Sequence, residues 1–155
     1  MKVTVYGIGY VGLVQAAVLA QVGHSVMCVD IDRDKIANLK RGIIPIFEPG
    51  LEHLVIENHK AGRLKFTTDS LEGVSHGEIH FIAVGTPPDE TGAADIRYVL
   101  TVAETIAEHM SGFPIVVNKS TVPVGTAQKV HQAMTAVIEK RGMSSSDITV
   151  VSNPE

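Results

Sequence analysis

Residues 3–32, VTVYGIGYVGLVQAAVLAQVGHSVMCVDID, set three glycines between an apolar β-branched run and a longer helix-like run. Gly7, Gly9 and Gly12 fall in the spacing G-x-G-x-x-G, and Asp30 stands 18 residues past Gly12. Such glycines alone arise by chance. Following a strand directly, opening a helix and answered by an acid after the next strand, they restrict the chain to a β-α-β unit. Gly7 permits the tight turn out of the strand, Gly9 leaves the backbone open to an anion, and Gly12 lets the helix pack closely on the sheet. The N–H groups around Tyr10 and Val11 then face that anion at a helix N-terminus, where the helix dipole also favours negative charge.

The anion such a turn fits is a dinucleotide pyrophosphate. The Asp30 carboxylate is placed to accept from an adenosine ribose and to repel a 2′-phosphate, which favours NAD over NADP. A methyltransferase also combines a glycine loop with an acid after its second strand, and a turn with no ligand is a third reading. The full three-glycine form favours the dinucleotide.

The rest of the chain repeats the alternation. Strands are expected at 3–6, 25–29, 65–67, 79–84, 115–118 and 148–151, and helices at 11–22, 33–40, 49–61, 96–109 and 126–140, with a short turn of helix at 69–73. Asp32 and Asp95 stand where they would cap helices, and Pro49 suits a first helical turn. Gly23, Gly42, Gly62 and Gly142 stand where helices should stop. Strands apolar on both faces, such as HFIAV and PIVV, need helices on both sides of a parallel sheet. The expected architecture is therefore α/β: a doubly wound, mostly parallel, Rossmann-like sheet whose two halves are joined by a crossover near residues 62–78.

Composition narrows the partners. With 155 residues and a net charge of −4, the chain is one domain with no basic cluster longer than Lys40-Arg41, so no nucleic-acid partner is expected. No apolar run is long enough for a membrane span. Cys28 is the only cysteine, which fits a reducing, cytoplasmic setting, and it reads as a buried core thiol. Of the seven histidines, His76 and His80 stand four apart, but His80 falls in an expected strand where the two need not converge. No metal is therefore expected, and the histidines read as surface or loop residues. Glu48-Pro49-Gly50 reads as a turn before a helix, 142–147 as a polar loop, and Asp89, Glu90 and Asp95 as a solvated loop.

Three later stretches, AVGTPPDETGAAD, NKSTVPVGT and VVSNPE, end strands on the edge of the sheet where ligands bind. Together with GIGYVG, VDID and FEPGL they occur in the order and approximate spacing of the UDP-glucose/GDP-mannose 6-dehydrogenase family, which the chain resembles along its whole length. The resemblance implies oxidation of a sugar C6 alcohol to a carboxylate with two NAD+, on UDP-glucose or a related nucleotide sugar. It places the pyrophosphate at Val11 and its turn, the adenosine ribose at Asp30 and Lys35, and the cofactor's flank at Val84, Gly85, Thr86 and Pro87. Ser120 and Thr121 match its KST motif, Thr121 at the threonine that holds a catalytic water. Glu155 matches the glutamate of NPE, which does acid/base work in thioester hydrolysis.

The family's nucleophilic cysteine belongs to a glycine-rich motif with no counterpart here, and Cys28 is no substitute. The chain is expected to be the cofactor domain (1–155) without the central helix and nucleotide-sugar domain. As such it should be monomeric and inactive, where the complete enzyme is a homodimer or larger. A hydroxyacid or 6-phosphogluconate-type cofactor domain and an NAD-sensing module stand as alternatives. The first lacks KSTVPVGT followed by SNPE, and the second gives no reason for Thr121 and Glu155.

Overall fold

Successive residues of a strand face opposite sides of its sheet, so the run Lys2–Tyr6 (β1) sends Val3 and Val5 one way and Thr4 and Tyr6 the other. In the computed structural model, which describes residues 1–144 and 148–154, that alternation separates two apolar layers. The chain continues through α1 (Tyr10–Gln21), β2 (Ser25–Val29), α2 (Arg33–Lys40), α3 (Leu51–Lys60), β3 (Leu64–Thr67), α4 (Ser70–His76) and β4 (Ile79–Ile82). It ends with α5 (Arg97–His109), β5 (Ile115–Asn118), α6 (Thr126–Lys140) and β6 (Thr149–Ser152). The strands form one sheet in the order β3-β2-β1-β4-β5-β6, and every pair is parallel. This is the doubly wound Rossmann-like fold. The strand order reverses between β1 and β4, after α4 carries the chain back from the β3 edge.

Beneath one face, Val3, Val5, Val26, Cys28, Leu64 and Phe66 pack against α1, α2 and α3. The other face sets Tyr6, Met27, Val29, Ile82 and Val116 against α4, α5 and α6. Helix α1 buries Ala16, Ala17 and Ala20 beside Leu13, and these small side chains let it lie close to the strands. Gly23, Gly42, Gly62 and Gly142 all take positive φ just past helix ends, the conformation that favours glycine there.

Several local expectations need correction. Strand β4 stops at Ile82 rather than 84, because the Lys119 and Ser120 amides both converge on the Ile82 carbonyl and the ladder cannot continue. Helix α3 starts at Leu51, with left-handed Gly50 as its N-cap, so Pro49 precedes the helix instead of opening it. Asp32 caps α2 by accepting from the Lys35 amide, whereas Asp95 lies one residue ahead of the α5 cap, Ile96, and accepts from the Arg97 amide. The turn expected at 69–73 is a full helix, Ser70–His76, capped by Asp69. Of the polar loop at 142–147, residues 145–147 lie outside the described residues, as does Glu155.

His80 overturns its reading as a surface or loop histidine. It is buried in β4, accepts from or donates to the Tyr6 hydroxyl through Nδ1 at 3.1 Å, and its ring stacks on Tyr6. Burial pushes its pKa down to about 4. Among the described residues no cluster of three His, Cys, Asp or Glu could hold a metal, and no helix is long and apolar enough to cross a membrane.

Candidate functional site

The strand-order reversal opens a cleft of about 800 Å³ at the carboxyl ends of the strands. Its floor is the turn between β1 and α1. Gly7 takes φ +90°, and a Cβ there would lie 2.6 Å from the Ala83 carbonyl oxygen, so backbone of β1 and the chain after β4 touch directly. A Cβ on Gly12 would meet the Gly7 carbonyl oxygen at 1.8 Å. The closest contact Gly12 makes is thus with the turn itself rather than with the sheet. Gly9 differs: a Cβ there would meet nothing within 4 Å, leaving the space open on the cleft side. It is the N-cap of α1, supplies no side-chain cap, and is followed by no acid in the first turn. Helix α1 thus sets neither a side-chain cap nor an acid of its own first turn against an anion at that end.

The end of β2 holds the turn in place. Gly7 donates to the Val29 carbonyl at 2.9 Å, and Ile8 donates to Asp30 Oδ2 at 2.8 Å. Asp30 Oδ1 accepts from the Asp32 amide at 3.0 Å, and Lys35 Nζ reaches Oδ2 at 3.1 Å. Burial pushes the Asp30 carboxyl up, but the Asp32 and Ile8 amides and the Lys35 ammonium outweigh it and hold the pKa below the ordinary carboxylate value. The carboxylate is thus anionic and fixed, with Oδ1 carrying one hydrogen bond.

The far wall comes from the loops after β4 and β5. Val84, Gly85, Thr86 and Pro87 face Ser120 and Thr121 across it, with Lys119 beside them. Lys119 Nζ donates to Asn153 Oδ1 at 3.1 Å, which ties the chain after β6 to the KST segment. Every expected site residue within the described part lines this cleft except Gly12, which underlies it. Glu155 lies outside the described residues.

The sequence reading missed part of the lining. Tyr98, Thr101 and Val102 lie along α5 at spacings of three and four, and they form a side of the cleft once topology sets that helix beside it. Ile31 lies 89% exposed at the end of β2 and also lines the cleft. An apolar residue set between Asp30 and Asp32, directly after the candidate ribose acid, was the available signal. Glu48, read as part of a turn, also accepts a hydrogen bond from the Tyr10 hydroxyl over the glycine turn. Cys28 is fully buried, and burial, with the Asp30 charge adding to it, pushes its thiol pKa up, so it is neither a thiolate nor in the cleft.

A parallel sheet with a three-glycine turn, an acid at the end of β2 and a cleft at the strand-order reversal defines a dinucleotide-binding domain. Its residues 1–155 match the model of the UDP-glucose/GDP-mannose dehydrogenase family, NAD binding domain, and the chain belongs to that family. NAD is its cofactor, and the open Gly9 face beside an uncapped helix end fits the group's pyrophosphate. The chain is 51% identical to a UDP-glucose 6-dehydrogenase of Rhizobium meliloti, across 100% of this chain and 35% of that protein. A GDP-mannose dehydrogenase from Pseudomonas aeruginosa, solved as a ternary complex, superposes with a TM-score of 0.92 at 37% identity, over 100% of this chain and 36% of the other. A UDP-glucose dehydrogenase from Pyrobaculum islandicum gives 0.89 at 37% identity, with the same coverage of both chains. The chain spans about a third of the length of these relatives.

Proposed function

We propose that this domain holds the NAD+ of an enzyme that oxidises the C6 alcohol of UDP-glucose to the carboxylate of UDP-glucuronate. The observation that carries the cofactor half of this reading is the Asp30 carboxylate, locked beside the glycine turn by three donors. The likeness to UDP-glucose 6-dehydrogenases supports the sugar.

In this reading the first turn of α1, at Tyr10 and Val11, binds the pyrophosphate, and Asp30 Oδ1 accepts a ribose hydroxyl. Lys35 keeps the carboxylate facing that ribose, and Ile31 covers one side of the adenine. Val84 to Pro87 and Ser120 flank the nicotinamide end, where the bound cofactor supplies a hydride acceptor. Thr121 orients water near the reacting carbon, and Glu155 moves protons in thioester hydrolysis. In this reading the thioester forms on a thiol beside C6, and Cys28, sealed in the core, is not that thiol. The 155-residue chain alone is therefore expected not to turn over UDP-glucose. The complete enzyme is proposed to be cytoplasmic and at least dimeric.

Calorimetry with NADH and NADPH tests the cofactor assignment. The unsubstituted chain should prefer NADH, and Asp30→Ala should weaken NADH about tenfold and narrow that preference, the scale of one lost charge-assisted hydrogen bond. Equal affinity for both cofactors in the unsubstituted chain would end the assignment of Asp30 to the ribose.

A further inference from the structure

The loops leaving β4 and β5 each give a hydroxyl proton to the other's main chain. Ser120 Oγ donates to the Val84 carbonyl at 2.8 Å, and Thr86 Oγ1 donates to the Thr121 carbonyl at 2.7 Å. Below them the ladder ends where the Lys119 and Ser120 amides meet the Ile82 carbonyl, at 2.8 and 3.1 Å. Above that point the two crossed hydroxyl bonds carry the contact between the loops toward the cleft. Ser120 is 6% exposed and its one proton goes to the Val84 carbonyl at 2.8 Å, with the Ile82 carbonyl at 3.4 Å as a weaker second acceptor, so it acts on a ligand chiefly through the wall it holds. Thr86 is half-buried and spends its proton in the same way.

We propose that Thr86 and Ser120 are positioning residues that join the two loops into one wall and thereby fix where Thr121 stands in the cleft. The inference deepens the reading of the cleft as an NAD site and rests on it for its consequence in binding. Holding the Thr121 carbonyl to the loop at 84–87 sets the Thr121 side chain relative to the residues assigned to the cofactor's flank. Displacements well under an ångström matter at such a position, because reacting groups must be held in near-attack geometry. Neither hydroxyl needs to touch the cofactor for this to operate.

The test uses the 155-residue chain with Thr86→Val, which keeps the shape and removes the donor, Thr86→Ser, which keeps the donor, and Ser120→Ala. NADH affinity is measured by fluorescence titration, and the Thr121 and Val122 amide signals are followed by NMR without cofactor. Thr86→Val and Ser120→Ala should each weaken NADH about fivefold, the scale of one neutral hydrogen bond. Both should shift the two amides, and Thr86→Ser should restore affinity and signals together. The double variant should be little weaker than the worse single one, since both break the same clamp. Additive losses, or Thr121 and Val122 signals unmoved by Thr86→Val, would overturn the proposal. Should Ser120→Ala not fold, the comparison of Val with Ser at position 86 decides it. A chain that never binds NADH defeats the cofactor reading, while the amide signals still decide the clamp.

Discussion

The cleft has two walls made from different materials. At the glycine turn the contacts are backbone on backbone: a Cβ on Gly12 would lie 1.8 Å from the Gly7 carbonyl oxygen, and one on Gly7 would lie 2.6 Å from that of Ala83. Across the cleft, hydroxyl side chains of Thr86 and Ser120 bridge two loops whose ladder has run out. At Gly7 and Gly12 that wall tolerates no added atom and depends on what is missing from the side chains. The wall of hydroxyls depends on what is present, and it should degrade by degrees when one is removed. The same division governs how each wall answers mutation.

The largest difference is expected at Gly12. Gly12→Ala forces the turn apart and should cost upwards of about 3 kcal/mol in chemical denaturation, at the severe end for overpacked sites. NADH binding should disappear with it. A Gly12→Ala protein of unchanged stability would show that the turn yields where the geometry says it cannot.

Acid should load the two sides of the molecule in different pH windows. His80, stacked under Tyr6 near the strand-order reversal, is neutral when folded, with a pKa near 4 against an ordinary 6.5. Between those values the unfolded chain binds a proton that the folded one refuses, so stability is full above pH 6.5 and declines as the pH falls toward 4. The loss should reach about 3 kcal/mol, and His80→Gln should flatten that slope. Asp30, on the glycine side, has a folded pKa below its ordinary 3.8, so its contribution is present above that value and is lost only in stronger acid. Denaturation midpoints from pH 7 to pH 3 would resolve the two, and an unaltered slope in His80→Gln would remove His80 from the account.

Ser120→Ala should cost only about 1 kcal/mol, the net value of a typical intramolecular hydrogen bond. The smallest effect on stability belongs to Gly9→Ala, within about 0.5 kcal/mol for a surface change that meets no neighbour. That variant should nevertheless bind NADH about tenfold more weakly, because the new methyl occupies the space assigned to the pyrophosphate. Thermal melts beside NADH titrations would separate fold from binding, and full affinity in Gly9→Ala would move the pyrophosphate elsewhere.

The two walls also differ in how far the sequence discloses them. Glycine spacing, a following helix and Asp30 state the backbone-built wall directly, since each is required by a steric or electrostatic fact local to residues 3–32. Nothing local marks Ser120 as a hook on Val84; the strand-end position set NKSTVPVGT on the ligand edge, and the resemblance cast Thr86 as a flank to the cofactor. The misplaced start of α3 has a similar cause. Proline at 49 is compatible with a first helical turn, but Gly50 in the left-handed region is the N-cap and the helix begins at Leu51, two residues after the proline. His80 escaped because a histidine satisfied by a tyrosine on the neighbouring strand carries no sequence signal until the pairing of Tyr6 with Ile82 and Thr4 with His80 is known.

Cys28 gives the molecule a clock. It is the chain's one sulfhydryl, fully sealed between the sheet and the first layer of helices, with its thiol held protonated. An alkylating reagent in the surrounding solution cannot reach it while that layer is closed, so each labelled molecule records one excursion of the core to an open state. At reagent concentrations where modification outruns reclosing, the labelling rate becomes the opening rate itself; at lower ones it reports the open fraction. Ligand that binds only the closed form must slow that clock in proportion to its occupancy. Cofactor affinity is thereby readable from a residue that never meets the cofactor.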